Sequence, residues 1–119
     1  MADTKTYTGG CHCGEVRVEV TADLSGVIAC NCSICQKRGA LWVFVGADSF
    51  ALRAGHEGLR DYQFGKKTLH HLFCPQCGVG AFSRGTAPGG KEMVAVNVRC
   101  LDDVDVASLK LTPFDGRSL

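Results

Sequence analysis

The most regular stretch of the chain alternates charged residues with valines. Residues 15–20 read Glu-Val-Arg-Val-Glu-Val. Because successive side chains of a strand point to opposite faces of the sheet, this period of two predicts a strand with one buried and one solvated face. Five further runs are short, and most are rich in β-branched and aromatic residues; they cover residues 27–30, 41–45, 50–53, 68–73 and 93–98. The pattern therefore predicts a chain built mainly from short strands.

Helical periodicity is nearly absent from the sequence. The one helix candidate is a segment of one or two turns over residues 104–109, which follows Asp102 and Asp103. Residues 86–90 contain a proline and two glycines, which predict a turn or mobile loop between two strands. Short strands at close spacing, with turns between them, are typical of an all-β sandwich, barrel or open antiparallel assembly.

Length and hydropathy limit how the chain is organised. For 119 residues we expect a single domain over residues 1–119, because there is no room for a second independent core. The longest apolar stretch, residues 40–45, has the length of a strand, whereas a helix that spans a bilayer needs about 20 apolar residues. The sequence therefore predicts no membrane partner.

The charges of the chain are balanced. Thirteen Lys and Arg residues stand against 12 Asp and Glu residues, which leaves a formal net charge of +1. A nucleic-acid partner would require a clustered excess of basic charge, so we expect none. Residues 1–10 have neither the basic nor the apolar region of a secretory signal. We therefore expect a cytoplasmic protein, in which eight cysteines are more typical of metal binding or chemistry than of disulfides.

Seven of the eight cysteines fall into three tight groups: Cys11 and Cys13; Cys30, Cys32 and Cys35; and Cys74 and Cys77. In an extended segment residues i and i+2 point the same way, so a Cys-x-Cys pair presents two thiolates to one ion. The last pair has the form of a zinc knuckle, a tight turn in which Pro75 fixes φ and Gly78 can adopt a positive φ. The cysteine pattern therefore predicts zinc.

Seven cysteines divide as four and three, which suits one closed structural zinc and one catalytic zinc with an open position. Two partitions satisfy this count, and spacing alone does not choose between them. One places Cys11, Cys13, Cys74 and Cys77 on the first zinc and Cys30, Cys32 and Cys35 on the second. The other builds a zinc ribbon from Cys32, Cys35, Cys74 and Cys77. We favour the former, because three cysteines so close in sequence can form a three-ligand cup and the ribbon would isolate Cys30.

The two predicted sites differ in charge. A zinc ion held by three thiolates carries less negative charge than one held by four, and it is therefore the stronger Lewis acid. An external thiol bound at such a site would be deprotonated. The chemistry that best suits the three-cysteine site is therefore the capture of an external thiol or water.

Four segments resemble one known family. Residues 10–18 read Gly-Cys-His-Cys-Gly-Glu-Val-Arg-Val, residues 30–39 combine Cys-Asn-Cys-Ser-Ile-Cys with Lys-Arg-Gly, residues 73–78 read Phe-Cys-Pro-Gln-Cys-Gly, and residues 96–102 read Val-Asn-Val-Arg-Cys-Leu-Asp. Together they resemble the glutathione-dependent formaldehyde-activating enzyme family, which includes the centromere protein V-like domains. The resemblance spans nearly the whole chain.

The resemblance implies a small, tent-like, antiparallel all-β zinc-binding fold with two zinc ions. It implies a structural zinc on Cys11, Cys13, Cys74 and Cys77, and a catalytic zinc on Cys30, Cys32 and Cys35. The implied activity is that of a carbon–sulfur lyase that adds a small thiol, glutathione or a similar one, to an aldehyde such as formaldehyde, or runs the reverse reaction. The alternative is a non-catalytic zinc-binding module that binds a protein partner through an exposed apolar surface.

Other chemistry-bearing residues are secondary candidates. Cys100 could complete the three-cysteine site, but we interpret it as a small buried residue at the end of a strand. His12 would face away from a metal held by its neighbours. His70 and His71 lie on opposite faces of a predicted strand, and one of them is a candidate proton shuttle near Cys74.

Two further groups each have two interpretations. Lys37 and Arg38 directly follow the three-cysteine group, where they either attract the carboxylates of glutathione or form a solvated turn. Trp42, Phe44 and Phe50 are interpreted as core residues, with the wall of a substrate pocket as the second interpretation.

Overall fold

Strands dominate the structure, a computed structural model that describes residues 4–64, 69–86 and 89–118. Within these residues the main elements follow in the order β1 Lys5–Gly10, β2 Arg17–Ala22, β3 Val27–Cys30, α1 Ser33–Arg38, β4 Trp42–Gly46, β5 Phe50–Ala54, β6 Arg60–Tyr62, β7 Leu69–Phe73, β8 Phe82–Thr86, β9 Glu92–Asn97 and β10 Leu111–Phe114. Short 3-10 turns lie at Leu24–Gly26, Ala47–Ser49, Val98–Cys100, Val106–Ser108 and Gly116–Ser118. The predicted all-β class is confirmed. Of the helices that the structure describes, none has the length and apolar character to cross a membrane.

The strands form two sheets. The small sheet has the order β1-β2-β5, and the large one has the order β10-β3-β4-β9-β8-β7-β6. The pairs in both sheets are antiparallel, as predicted, apart from β3 and β10, which are parallel. Pro113 lies in β10 at the edge of the large sheet, where a residue without an N–H group does not interrupt the ladder.

The hydrophobic core lies between the two sheets. Strand β2 buries Val18 and Val20 while Arg17 and Glu19 stay partly exposed, which confirms the alternation predicted for residues 15–20. The large sheet contributes alternate residues of its central strands to the same core: Val43, Val45, Phe82, Val94 and Val96. Burial of these branched and aromatic side chains, at about 25 cal/mol per Å² of apolar surface, holds the sheets together.

The large sheet is also apolar on its other face. The intervening positions of its central strands, among them Trp42, Phe44, Met93 and Ala95, point away from the core and line a cavity. Helix α1 packs on this face, where Cys35, Ala40 and Trp42 form a second, smaller buried cluster. A sheet with two apolar faces and a covering sheet on only one of them leaves room for a binding site on the other.

The helix prediction was wrong in two respects: the predicted segment is not an α-helix, and an α-helix lies elsewhere in the chain. Residues 104–109 contain only the 3-10 turn Val106–Ser108, in which the Asp105 carboxylate accepts a hydrogen bond from the Ala107 N–H. Helix α1, which the sequence analysis did not predict, begins after Cys32 and ends at Gly39, which has a φ of 69° and is a typical left-handed C-cap. Six residues are too few for hydrophobic periodicity to reveal a helix.

Four strands were also missed: β1, β6, β8 and β10. Strands β6 and β10 are exposed throughout, and β1 and β8 carry glycine and polar residues. Their sequences lack an alternating pattern because β6 and β10 bury no residue, whereas β1 and β8 bury two adjacent residues instead of alternate ones. Within the predicted turn at residues 86–90, Gly89 and Gly90 have positive φ values, while residues 87 and 88 lie outside the described residues, as does residue 68 of the strand predicted for 68–73.

Candidate metal centres

The structure gathers seven cysteines into two clusters. The four-cysteine cluster comprises Cys11, Cys13, Cys74 and Cys77, and the three-cysteine cluster comprises Cys30, Cys32 and Cys35. In each cluster all Sγ atoms lie within 4.8 Å of one another. This grouping is the partition that the sequence analysis favoured, and the ribbon of Cys32, Cys35, Cys74 and Cys77 does not form. The structure brings the thiols together, while ligation of a metal by them stays a prediction.

The four-cysteine cluster has dimensions that fit zinc. The Sγ atom of Cys13 lies 3.7 Å from that of Cys11 and 3.6 Å from that of Cys74. Four sulfurs in a tetrahedron around an ion at a Zn–S distance of about 2.3 Å are roughly 3.8 Å apart. The donor set and the spacing are therefore those of a closed structural site.

Tight turns hold the four thiols in position. The Cys11 N–H donates to the Val16 carbonyl, and the Val16 N–H donates to Cys11 Sγ at 3.2 Å. In the second turn the Gly78 N–H donates to the Cys74 carbonyl at 2.9 Å, and Gly78 has a φ of 79°. The positive φ expected at Gly78 is thus observed.

Backbone amides favour the charged form of two of these thiols. The N–H groups of Cys13 and Val79 lower the pKa of the Cys77 thiol to about 6. Burial opposes ionisation of Cys11, but the Val16 N–H and the neighbouring thiols outweigh it and lower the pKa of Cys11. The Glu15 N–H favours ionisation of Cys13, but burial and the neighbouring thiols outweigh it and raise the pKa of Cys13 to about 12. Full ionisation of the cluster therefore depends on a cation.

The three-cysteine cluster lies where β3 passes into α1. Cys30 is the last residue of β3, Cys32 is the N-cap of α1, and Cys35 faces inward from the helix. The Cys32 N–H donates to Cys30 Sγ at 3.4 Å, and the Gln36 N–H donates to the Cys32 carbonyl at 2.9 Å. The cup is formed within six residues of chain, because the start of a helix turns the third cysteine back towards the first two.

The thiols of Cys32 and Cys35 differ in how readily they ionise. Burial raises the pKa of Cys35 to about 12, although the Trp42 indole N–H donates to its Sγ at 3.2 Å. Burial also opposes ionisation of Cys32, but the backbone N–H groups of Cys35 and Ile34 outweigh it and lower the pKa of Cys32. The start of α1 therefore favours a thiolate at Cys32, while Cys35 ionises only if a cation compensates for its burial.

The C-terminal segment closes one side of the three-cysteine cluster. Asn31, between two of the cysteines, donates its backbone N–H to the Phe114 carbonyl at 3.2 Å and its side-chain amide to Asp115 at 3.0 Å. Its side-chain oxygen accepts the Arg117 N–H at 2.9 Å. Gly116 is so close that a Cβ atom there would lie 2.7 Å from Cys30 Sγ. The cup therefore depends on residues about 85 positions away in the chain, since Asn31 makes three contacts with them.

The three-cysteine cluster opens into a cavity of about 670 Å³. Its walls come from β3, β4, β7, β8, β9, the start of α1 and the C-terminal segment, and its lining residues include Cys30, Cys32, Cys35, Trp42, Phe44, Phe64, His71, Ser83, Ala95 and Phe114. No residue of the four-cysteine cluster is among those that line it. The size is typical of a small-molecule site.

His71 lies inside this cavity, on the side of β7 that faces α1 and the three cysteines. Its ring is buried, stacks on Phe64 at a centroid distance of 5.4 Å, and has Nδ1 3.4 Å from the Ser83 hydroxyl. Burial, with a contribution from the Arg38 charge, lowers the pKa of His71. His70 points to the opposite side and pairs with Asp61 at 2.6 Å. We expected one of the two histidines near Cys74, whereas the structure places His71 in the cavity beside the three-cysteine cluster.

Other candidates take less central positions. Cys100 lies beside the four-cysteine cluster, where burial and the charges of Cys11 and Cys77 raise its pKa to about 11. It therefore does not complete the three-cysteine site. It was interpreted as a small buried residue at the end of a strand, whereas it is partly buried in the 3-10 turn that follows β9. His12 is exposed and belongs to neither cluster.

The aromatic and basic candidates divide between core and cavity. Phe50 packs on Phe82 of the main core, as predicted. Trp42 is buried but belongs to the second cluster and lines the cavity, and Phe44 is 54% exposed on the cavity wall, so the core interpretation was wrong for Phe44. Lys37 and Arg38 lie in the last turn of α1 and line a second cavity of about 380 Å³.

Several residues of the site were not predicted from the sequence: Asn31, Ser83, Phe114 and Gly116. The position of Asn31 between two clustered cysteines was a local signal that could have identified it. Phe114 and Gly116 had no such signal, since the parallel pairing of β10 with β3 and the hydrogen bonds of Asn31 bring them there from a distant part of the chain.

Serine substitutions should distinguish the roles of the two cysteine clusters. We expect Cys74→Ser to unfold or aggregate, because a structural zinc site contributes about 10–16 kcal/mol of apparent binding energy, comparable with the whole stability of a domain. Cys35→Ser should lose one zinc and keep the fold. Circular dichroism and metal analysis of both variants measure this. Equal loss of fold in the two variants would identify two structural sites.

The space at Gly116 can be tested with alanine. Gly116→Ala should displace Cys30 and weaken metal retention at the three-cysteine cluster by about tenfold or more, as changes around metal ligands typically do. Gly26→Ala is the matched control, because a Cβ atom there meets nothing within 4 Å. Release of zinc to a chromogenic chelator and the Co²⁺ absorption bands report the effect. Identical release curves for the two variants would show that Gly116 does not constrain the cup.

Comparisons with known proteins agree with this site. The model of the family described as glutathione-dependent formaldehyde-activating enzyme matches residues 6–114, which include all seven clustered cysteines. The chain is also similar to a Rhodobacter sphaeroides protein of known crystal structure, with 33% sequence identity, a TM-score of 0.78, and coverage of 89% of this chain and 97% of that one. The fold, the cysteine clusters and the family match lead to one conclusion: the chain belongs to the glutathione-dependent formaldehyde-activating enzyme family.

Proposed function

We propose that the protein is a zinc-dependent enzyme of the carbon–sulfur lyase type, which adds a small thiol such as glutathione to an aldehyde and catalyses the reverse cleavage. One observation carries the proposal: of the two cysteine clusters, it is the three-cysteine cluster that borders the large cavity. A cluster with three protein sulfurs leaves one position of a tetrahedral ion free, and here the free side adjoins space for a substrate.

The donors of this cluster fit zinc. Three sulfurs within 4.8 Å of one another can share one ion, and thiolate is the ligand that favours zinc over harder cations such as Mg²⁺. When bound, the ion would supply a Lewis-acidic centre that lowers the pKa of an incoming thiol.

The surrounding residues orient the cluster. The Trp42 indole N–H fixes Cys35, and the contacts of Asn31 with the C-terminal segment fix the loop that carries Cys30 and Cys32. His71, neutral at pH 7 because burial lowers its pKa, is placed in the same cavity to accept the thiol proton.

The basic end of α1 offers a place for the carboxylates of glutathione. The smaller cavity, lined by Lys37 and Arg38, shares Ile34 and Phe64 with the larger one. Arg38 also lies over the Phe73 ring, with its guanidinium carbon 5.8 Å from the ring centroid, which restrains the cation at this position. A thiol whose acidic groups lie here would extend towards the three cysteines.

Exchange NMR at equilibrium tests the proposed activity. The zinc-loaded protein should accelerate interconversion of glutathione plus formaldehyde with S-hydroxymethylglutathione, and Cys32→Ser should abolish the acceleration while the fold is retained. Equilibrium exchange is required because thiols and formaldehyde combine spontaneously. Full metal occupancy without acceleration would contradict the proposal and favour a non-catalytic zinc-binding module.

The role of His71 predicts a defined pH dependence. Because its pKa lies below the usual 6.5, His71 stays neutral below that pH, and the exchange rate should fall only as the pH drops through the lowered value. Arg38 from α1 and His70 from β7 oppose protonation, whereas Asp61 from β6 favours it. His71→Gln should reduce the rate by about 100-fold and remove this acid limb.

The neighbouring histidine provides the control. His70→Gln removes an exposed ring that pairs with Asp61 outside the cavity, so it should leave the rate at neutral pH nearly unchanged. Because His70 opposes protonation of His71, its loss should move the acid limb towards higher pH without removing it. Zinc content is measured for both variants at each pH. A similar rate loss in the two variants would show that His71 does not accept the proton.

A further inference from the structure

The floor of the large cavity is a continuous apolar surface on the large sheet. Cross-strand pairing places His71 opposite Ser83, Ser83 opposite Ala95, and Ala95 opposite Phe44, so these four form one row across β7, β8, β9 and β4. A second row pairs Leu69 with Gly85 and Gly85 with Met93. The small residues Ser83, Gly85 and Ala95 lie in the centre of the floor, and larger apolar side chains surround them.

The described lining offers almost no charge to a ligand. Arg84 is among the lining residues, but its guanidinium lies 5.5 Å from the ring centroids of Phe50 and Phe82 and pairs with Glu92 at 3.1 Å. Phe82 belongs to the main core, so this cation is directed to the opposite face of the sheet. Among the described residues that line the cavity, those with polar side-chain groups besides the cysteines are Trp42, His71, Ser83, Arg84 and Thr86.

The size of the cavity does not match formaldehyde. At about 670 Å³, it falls in the range of roughly 300–1,000 Å³ typical of sites for drug-sized ligands. Formaldehyde carries no substituent that could occupy the floor. Among the described lining residues the one cation, Arg84, is directed away, whereas the smaller cavity beside Lys37 and Arg38 offers partners to the acidic ends of glutathione. The apolar space therefore remains for the other reactant.

We propose that the electrophile is an aldehyde with an apolar branched or aromatic substituent, which lies on the floor formed by Phe44, Met93 and Ala95 with its carbonyl carbon towards the three cysteines. This inference rests on the proposed function. In the reaction the thiol S–H adds across the C=O bond: a C–S bond forms, the carbonyl π bond breaks, and the thiol proton ends on the oxygen, which gives a hemithioacetal. No oxidant or reductant is needed.

A small molecule suits this surface better than a second copy of the chain. The surface is concave, is bounded by Phe64 and Phe114, and is continuous with the three cysteines. Phe44, Leu69 and Phe114 are 54%, 50% and 47% exposed, so apolar area around the cavity is available to a ligand. Burial of such area contributes about 25 cal/mol per Å² to binding.

The single tryptophan gives a direct readout of the cavity. Trp42 lines it, and its indole N–H donates to Cys35 Sγ, so one ¹H–¹⁵N indole resonance reports occupancy next to the cysteines. The zinc-loaded protein is titrated with cyclohexylmethanol, an unreactive analogue of an apolar aldehyde, and with methanol at equal concentrations. We expect a saturable shift with the former and none with the latter.

A cavity-filling variant tests the position of the ligand. Ala95→Leu adds volume to the centre of the floor and should weaken cyclohexylmethanol binding at least fivefold. Ala107→Leu, the same change at an exposed 3-10 position that is not among the lining residues, should leave binding unchanged. Circular dichroism confirms that both variants fold. Equal affinities in the two variants, or no saturable shift in the unmodified protein, would overturn the inference.

Exchange kinetics separate this inference from the proposed function. With glutathione as the thiol, the ratio of rate constant to KM should be at least tenfold higher for cyclohexanecarbaldehyde than for formaldehyde. A preference for formaldehyde, or none, would overturn the apolar electrophile and leave the lyase-type activity in place. No acceleration with either aldehyde would contradict the proposed function itself. An indole shift that depends on protein concentration instead of ligand would assign the surface to a second copy and also overturn the inference.

Discussion

The contact between Cys13 and Cys74 joins two parts of the chain that are 61 residues apart, with their Sγ atoms separated by 3.6 Å. Cys11 and Cys13 lie in the loop between β1 and β2 of the small sheet, and Cys74 and Cys77 lie in the loop between β7 and β8 of the large one. A metal that bridges these loops closes a long segment of chain and so offsets a large entropic cost. A metal ion bound here would therefore stabilise the packing of one sheet on the other, and with it the main core.

Once the small sheet covers one face of the large sheet, the opposite face has to be covered by other means. Helix α1 covers part of it through the cluster of Cys35, Ala40 and Trp42, and β10 extends the sheet beyond β3 by a parallel pairing. The remainder is the cavity. Helix α1 and the C-terminal segment therefore have two roles. They partly cover the apolar surface, and they hold the three-cysteine cluster at its edge.

The parts of this arrangement that are encoded locally could be predicted from the sequence. Alternation predicted β2, and tight spacing predicted the three-cysteine cluster, because three thiols within six residues have few ways to face one ion. Spacing alone did not join Cys11 and Cys13 to Cys74 and Cys77, which are about 60 residues apart; that grouping was favoured because the alternative ribbon would isolate Cys30. Helix α1 was missed since a helix of six residues has no periodicity to detect. Phe114 and Gly116 were missed because contacts between distant segments, the pairing of β10 with β3 and the hydrogen bonds of Asn31, bring them to the site.

Both cysteine clusters combine thiols that ionise readily with one that does not. In the four-cysteine cluster, backbone amides help to lower the pKa values of Cys11 and Cys77, whereas burial and the neighbouring thiols raise the pKa of Cys13 to about 12. In the three-cysteine cluster, the pKa of Cys32 is lowered, whereas burial raises the pKa of Cys35 to about 12. A thiolate at Cys35 therefore needs a cation in addition to the Trp42 N–H. The same burial that forms the apolar cavity would thus make the charge of this cluster depend on a bound cation.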